Sequence, residues 1–295
     1  MHTHNKIPLG YIELENGAKP IYAMNDIFLN YIFDNEENWE ALRLLLNIML
    51  DAYKQIMPST MLDLVEGEIK VETQYKYLLN VENTTRAQDI KMTATGDITY
   101  IEFQNRTQTT PPIEARAVEY FGLGIGHSKG KTANQVWLLA DDIDSVLHGE
   151  QFARYILKNE ATGVQHPGNS GIMYVSLPKL SQKEGPAGEL AAFLMGKVAG
   201  VKSETANKVA QAFNDGFNMF KRDKEALTMM TVRERWLYEG RDEGREEGIA
   251  EGEEKGIIKG AISTAEEFAE LLRQGYTPEE ILQMIKSRYT EPTTA

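Results

Sequence analysis

The sequence predicts an α/β or α+β core around a central sheet, followed by a helical C-terminal extension. Three observations point there. Gln88–Gln104, QDIKMTATGDITYIEFQ, alternates apolar and polar residues on either side of Thr95-Gly96, the pattern of a β-hairpin. The apolar runs Asn134–Ala140 and Gly171–Leu177 read as further strands set among helical stretches. From Glu184 onward the composition is helical, and near Arg233 the chain changes into a charged repeat.

Taken in order, residues 1–24 offer a strand over Tyr11–Leu14 and a loop punctuated by Gly and Pro. Asn25 or Asp26 caps a helix with Phe28, Tyr31 and Ile32 at helical spacing. After Asn35 a second helix carries Glu36 and Glu37 in its first turn and the apolar stripe Trp39, Leu42, Leu45, Leu46, Met49, which is core. Met61–Val71 and Thr73–Val81 read as extended segments leading to the hairpin. Beyond it, Asn105–Pro112 is a polar loop bordering a cleft, and Thr110-Pro111-Pro112 opens a helix with Arg116 and Tyr120 on one face. A mixed segment with Phe152, Tyr155 and Ile156 separates the two apolar strands. Leu190–Val198 and Ala206–Phe220 are amphipathic helices that close the core.

The tail is the second unusual feature. Glycines 240, 244, 248, 252, 256 and 260 recur every fourth residue among Arg, Asp, Glu and Lys. Each helical Gly costs about 1 kcal/mol relative to Ala. The repeat therefore reads either as a solvated linker or as a helix whose small-residue stripe supports a homo-oligomer. Thr264–Arg273 is a further helix, and Thr277-Pro278-Glu279-Glu280 is a capping box before Ile281, Leu282 and Ile285. The expected organisation is 1–230, a core domain; 231–262, a charged Gly-every-fourth-residue helix or linker; and 263–295, a helical hairpin.

Composition narrows the function. The absence of cysteine excludes disulfides and thiolate metal sites. No apolar run approaches the ~20 residues of a membrane span, and MHTHNKIPLG lacks the apolar core of a signal peptide, so a cytoplasmic protein is expected. A net charge of −13 argues against a broad nucleic-acid-binding surface but allows basic residues gathered at one cleft. The isolated His127, His148 and His166 lack zinc-site spacing.

The hairpin carries the chemistry. With the turn centred on Thr95-Gly96, Ile90 faces Ile101, Gln88 faces Phe103, and Asp89 faces Glu102 on the polar side with Cβ atoms roughly 5 Å apart. Like charges so placed destabilise a sheet unless a cation lies between them, and a divalent metal would supply it. The competing reading is a pair of solvated acids on the wet face of an edge hairpin.

Asp89-Ile90, the hairpin, Ile101-Glu102-Phe103-Gln104 and Arg116-Ala117-Val118-Glu119-Tyr120 together resemble the recombination-promoting nuclease/putative transposase family of the PD-(D/E)xK nuclease superfamily. Asn25-Asp26-Ile27-Phe28, Leu44–Leu50 and the Glu-Gly-Arg repeats extend the resemblance over most of the chain. It implies a restriction-endonuclease-like central mixed β-sheet flanked by helices and a Mg²⁺- or Mn²⁺-dependent endonuclease acting on DNA. By that resemblance Asp89 and Glu102 are metal ligands, with Asp26 or Glu37 as candidates for a further acidic ligand. Gln104 stands where the wider superfamily has lysine, and glutamine carries no charge. Lys91, on the Asp89 face, is a candidate substitute or a solvated strand lysine. Arg116 is a candidate phosphate clamp and Tyr120 a candidate to position the phosphate or stack on a base, against a surface Arg-Glu pair and a packed Tyr. The alternative function is a catalytically inactive nuclease fold that acts as an interaction module through its C-terminal helices.

Overall fold

The structure, a computed structural model, describes residues 6–14, 17–60, 62–78, 85–95, 97–105, 112–166, 168–231 and 270–283. The chain divides into two compact units, Met1–Thr231 and Val232–Ala295. The first unit is a mixed α/β body whose six-stranded mixed sheet is flanked by helices.

It opens with a small antiparallel hairpin, β1 (Gly10–Leu14) and β2 (Gly17–Ile21). The second arm is a strand where a loop was expected, because Pro20 sits in a two-stranded ribbon where a missing N–H is tolerated. Asn25 is the N-cap of α1 (Asp26–Asp34), its side-chain oxygen accepting from the Phe28 N–H at 3.0 Å, and Asp26 is the first helical residue. A single 3₁₀ turn leads into α2 (Trp39–Ile56). β3 (Ile69–Leu78), β4 (Thr85–Ala94) and β5 (Asp97–Gln104) form an antiparallel meander. β3 is one strand where two extended segments were expected; Leu62–Glu66 precedes it as loop. The hairpin register is the expected one: Ile90 pairs with Ile101, and Ala94 with Asp97, around a turn in which Thr95 takes φ +44°.

α3 (Ile113–His127) then crosses the sheet so that β6 (Ala133–Leu139) lies parallel to β5. The short α4 (Asp144–Leu147) and the edge strand β7 (Phe152–Ile156) precede β8 (Gly171–Ser176), which is parallel to β6 and antiparallel to β7. The strand order is β3-β4-β5-β6-β8-β7. β7, expected only as mixed chain, is short and carries Arg154 among apolar residues, which blurs its alternation. α5 (Leu177–Leu180), α6 (Pro186–Leu194) and α7 (Glu204–Phe220) complete the unit. α6 starts four residues earlier than expected, with Pro186 at its first position, and ends before Gly196 at φ +68°.

The two sheet faces differ. One packs Ile90, Met92, Ile101, Phe103 and Val136 against α1, α2, α6 and α7 in the main core. There Phe28 meets Phe213 and Phe220 edge-on, with ring centroids 6.0 and 5.6 Å apart. A Cβ on Gly216 would lie 2.8 Å from Ile32, so α1 and α7 approach closely only because that residue is glycine. The other face joins Trp137, Ile172 and Tyr174 to Ile113, Ala117 and Tyr120 of α3.

In the second unit the described stretch includes the Thr277 capping box. The Thr277 N–H donates to Glu280 at 2.8 Å, and the Glu280 N–H donates back to the Thr277 hydroxyl at 3.4 Å. The glycine repeat and the first part of the Thr264–Arg273 helix lie outside the described residues.

Candidate active site: a carboxylate pair where two strands part

β4 pairs with β3 from Thr85 to Ala94, but its pairing with β5 runs only from Ile90 to Ala94. Asp89 is the first residue past that shared ladder. Two side-chain bonds continue what the backbone stops. The Asp89 N–H donates to Glu102 Oε1 at 3.2 Å, and the Phe103 N–H donates to Asp89 Oδ2 at 2.9 Å. Each carboxylate is thereby fixed by an N–H of the opposing strand.

The competing reading, a pair of solvated acids on a wet face, fails here. Glu102 is only 3 % exposed, because β5 is an interior strand and α3 lies over it. Burial is the main cause that raises the Glu102 carboxyl well above the usual carboxylate range, with the Asp89 charge adding to it. The Arg116 guanidinium and the Asp89 N–H pull the other way. Asp89 is pushed up to about 6, again mainly by burial; the Phe103 N–H lowers it, the Asp26 charge raises it and Arg116 lowers it.

Asp26 thus belongs to the electrostatics of the pair. The Asn105 side-chain amide donates to the Met24 carbonyl and ties the end of β5 to the chain entering α1. Glu37 is exposed, lying beyond the far end of the nine-residue α1, roughly 13 Å along its axis from Asp26. The helix start is the acidic neighbour of the site, and Glu37 is not.

Arg116 is turned onto the site's own residues. Its Nη1 donates to Gln104 Oε1 at 3.2 Å, and its Nη2 lies 3.8 Å from Glu102 Oε2. The guanidinium carbon sits 5.7 Å from the Tyr120 ring centroid and 5.5 Å from that of Trp137. Arg116 is an internal cation, stacked and committed to the site's own residues. Tyr120 is buried, its ring 6.1 Å from that of Trp137, and so is not presented for stacking on a base. It is the packed Tyr of the alternative reading. Lys91 bonds Glu72 on β3 at 3.1 Å, a cross-strand pair, and so is not a lone solvated lysine.

Sequence reasoning missed Trp137 and Glu72. Trp137 shares its face with Gln135, whose Oε1 accepts from the indole N–H at 3.2 Å, and stands opposite Glu102 in the β5–β6 register. The signal for it was an aromatic in a strand directly following the crossover helix.

The donor set fits a hard divalent cation. Burial raises both cross-strand carboxyls above the usual carboxylate range, and ionised together they carry one negative charge more than the neighbouring Arg116 guanidinium offsets. Among the described residues no three His, Asp or Glu side chains gather as a complete metal cage. Mg²⁺ sites are commonly built from one or two carboxylates with substrate phosphate and water, and a full cage is not needed. No helix among the described residues is long and apolar enough to cross a membrane. The chain has no match among protein-family models, curated proteins or solved structures.

Proposed function

We propose that the protein is a Mg²⁺- or Mn²⁺-dependent endodeoxyribonuclease, a restriction-endonuclease-like relative of the recombination-promoting nuclease/putative transposase family. The observation that carries this reading is the buried Asp89–Glu102 pair, which Arg116 compensates only in part. The mixed sheet, with the acids on an antiparallel hairpin followed by a crossover helix, is compatible with that architecture.

Asp89 and Glu102 would hold the cation, each carboxylate already oriented by a cross-strand N–H. Bound there, the ion supplies Lewis-acid stabilisation of phosphate charge and lowers the pKa of a coordinated water. Gln104 accepts from Arg116 through its Oε1, which fixes the amide at the edge of the carboxylate pair, where it would orient a phosphate oxygen or a water. Arg116, held by the Trp137 and Tyr120 rings, positions Gln104 and offsets part of the Glu102 charge. Contacts of this kind address phosphates and carry little base information, so weak sequence preference is expected.

Plasmid cleavage by purified protein tests the reading, run with Mg²⁺, Mn²⁺ or EDTA beside Glu102→Gln and Asp89→Ala. Metal-dependent cutting by the native chain, lost in both variants, is the expected result. Cutting that survives Glu102→Gln removes the pair from the chemistry. A well-folded native chain that never cuts moves the function to the interaction-module alternative.

A further inference from the structure

A second site lies on the opposite face of the sheet, toward the end where β5, β6 and β8 begin. A cavity of about 460 Å³ is floored there by Thr99, Asn134 and Met173 and walled by α2 and by the loop before β3. Thr99 is three residues before Glu102 on β5 and points to the other face, roughly 10 Å along the strand. The cavity is therefore distinct from the carboxylate pair.

Its charges are sorted. Lys54 of α2 and Arg154 of β7 are both half-buried, whereas the lining acids Asp63, Glu66 and Asp97 are exposed at the rim. Arg154 donates from Nη2 to the Asn169 carbonyl at 2.9 Å and to Asn169 Oδ1 at 3.1 Å, both neutral acceptors. Among the described residues no carboxylate lies within 4.0 Å of Arg154 or Lys54. Burial correspondingly lowers the Arg154 pKa. A desolvated guanidinium without a counter-ion is costly, and this chain holds 44 acidic residues from which one could have been supplied. Beside it β7 and β8 approach closely, since a Cβ on Gly171 would lie 2.7 Å from the Tyr155 carbonyl. The floor also contains Asn134 Oδ1, a buried acceptor with no hydrogen-bond partner among the described residues.

We propose that this cavity binds a small phosphorylated molecule of about mononucleotide size, with its phosphate on Arg154 and Lys54. The volume falls in the range of small-molecule sites. The guanidinium fork matches a phosphate in two bonds, and the Lys54 ammonium adds a point charge. Leu50, Leu62 and Met173 take the less polar body of the ligand. The site stands independently of the hydrolase reading.

Calorimetric titration of the full chain in EDTA, with adenosine monophosphate, adenosine and inorganic phosphate as probes, tests it. Adenosine monophosphate and inorganic phosphate bind, and adenosine binds at least about tenfold more weakly than its monophosphate, the weight of a charge-assisted contact. Arg154→Gln abolishes monophosphate binding, and Lys54→Gln, whose side chain has no hydrogen-bond partner among the described residues, weakens it while leaving the fold intact. Asp89→Asn leaves it unchanged. The proposal is overturned if neither phosphate probe binds, if adenosine binds as tightly as the monophosphate, if Lys54→Gln has no effect, or if binding is lost in Asp89→Asn.

Discussion

Replacing Asp89 by Asn should stabilise the metal-free protein at neutral pH while removing its activity. Asp89 is pushed from the ordinary 3.8 up to about 6, so the fold favours its neutral form. A carboxyl raised in this way contributes stability below pH 3.8 and loses that contribution as pH rises through about 6; above that the ionised form is a full penalty. The gap corresponds to about 3 kcal/mol as a ceiling, at 1.36 kcal/mol for each pH decade. Asn keeps an acceptor for the Phe103 N–H but forms a weaker bond than a carboxylate, and its amide is also desolvated. A net gain of about 1–2 kcal/mol remains, or roughly 2–6 °C in Tm for a body of this size. The assay is calorimetric unfolding of both proteins in EDTA at pH 7.5 and at pH 4. The variant should be the more stable at pH 7.5, and the difference should nearly vanish at pH 4, where the native Asp89 is protonated in the fold. A variant less stable at pH 7.5, or one equally favoured at both pH values, would refute the reasoning.

Two further outcomes follow from the geometry. Arg116→Lys should lose most cleavage, because an ammonium cannot reproduce the Gln104 bond and the stacking on Trp137 and Tyr120 together. Its Tm should fall as the Gln104 bond and the packing on the two rings are lost, and full activity in a cleavage time course would exclude Arg116 from the site. Gly216→Ala should cost about 1–3 kcal/mol in a denaturant titration, since the added methyl meets Ile32 at 2.8 Å between packed helices. An unchanged midpoint would mean that α1 and α7 separate freely.

What the sequence revealed and what it hid follow a physical divide. The hairpin register was readable because alternation and a tight turn are local, and Ile90 does face Ile101. The Asn25 cap and the Thr277 capping box were readable for the same reason, being decided within a few residues. The burial of Glu102 was not, since polar residues at alternate positions look solvated until a helix from elsewhere lies over them. Arg116 and Tyr120 were correctly placed on one helix face, but spacing alone does not tell whether that face looks outward or onto Trp137. β7 and β2 escaped because an arginine in one and a proline in the other interrupt the strand pattern, and their pairing partners, not their own sequence, make them strands.

The central claim is that the Asp89–Glu102 pair, offset only in part by Arg116, holds a divalent ion. Its most direct test is a Mn²⁺ titration of the full chain followed by electron paramagnetic resonance, beside Glu102→Gln. The account predicts that the native chain takes up Mn²⁺, that binding tightens as pH rises and the raised carboxyls ionise, and that Glu102→Gln loses this uptake. Equal Mn²⁺ uptake by the native chain and the variant, or none by either, would contradict it.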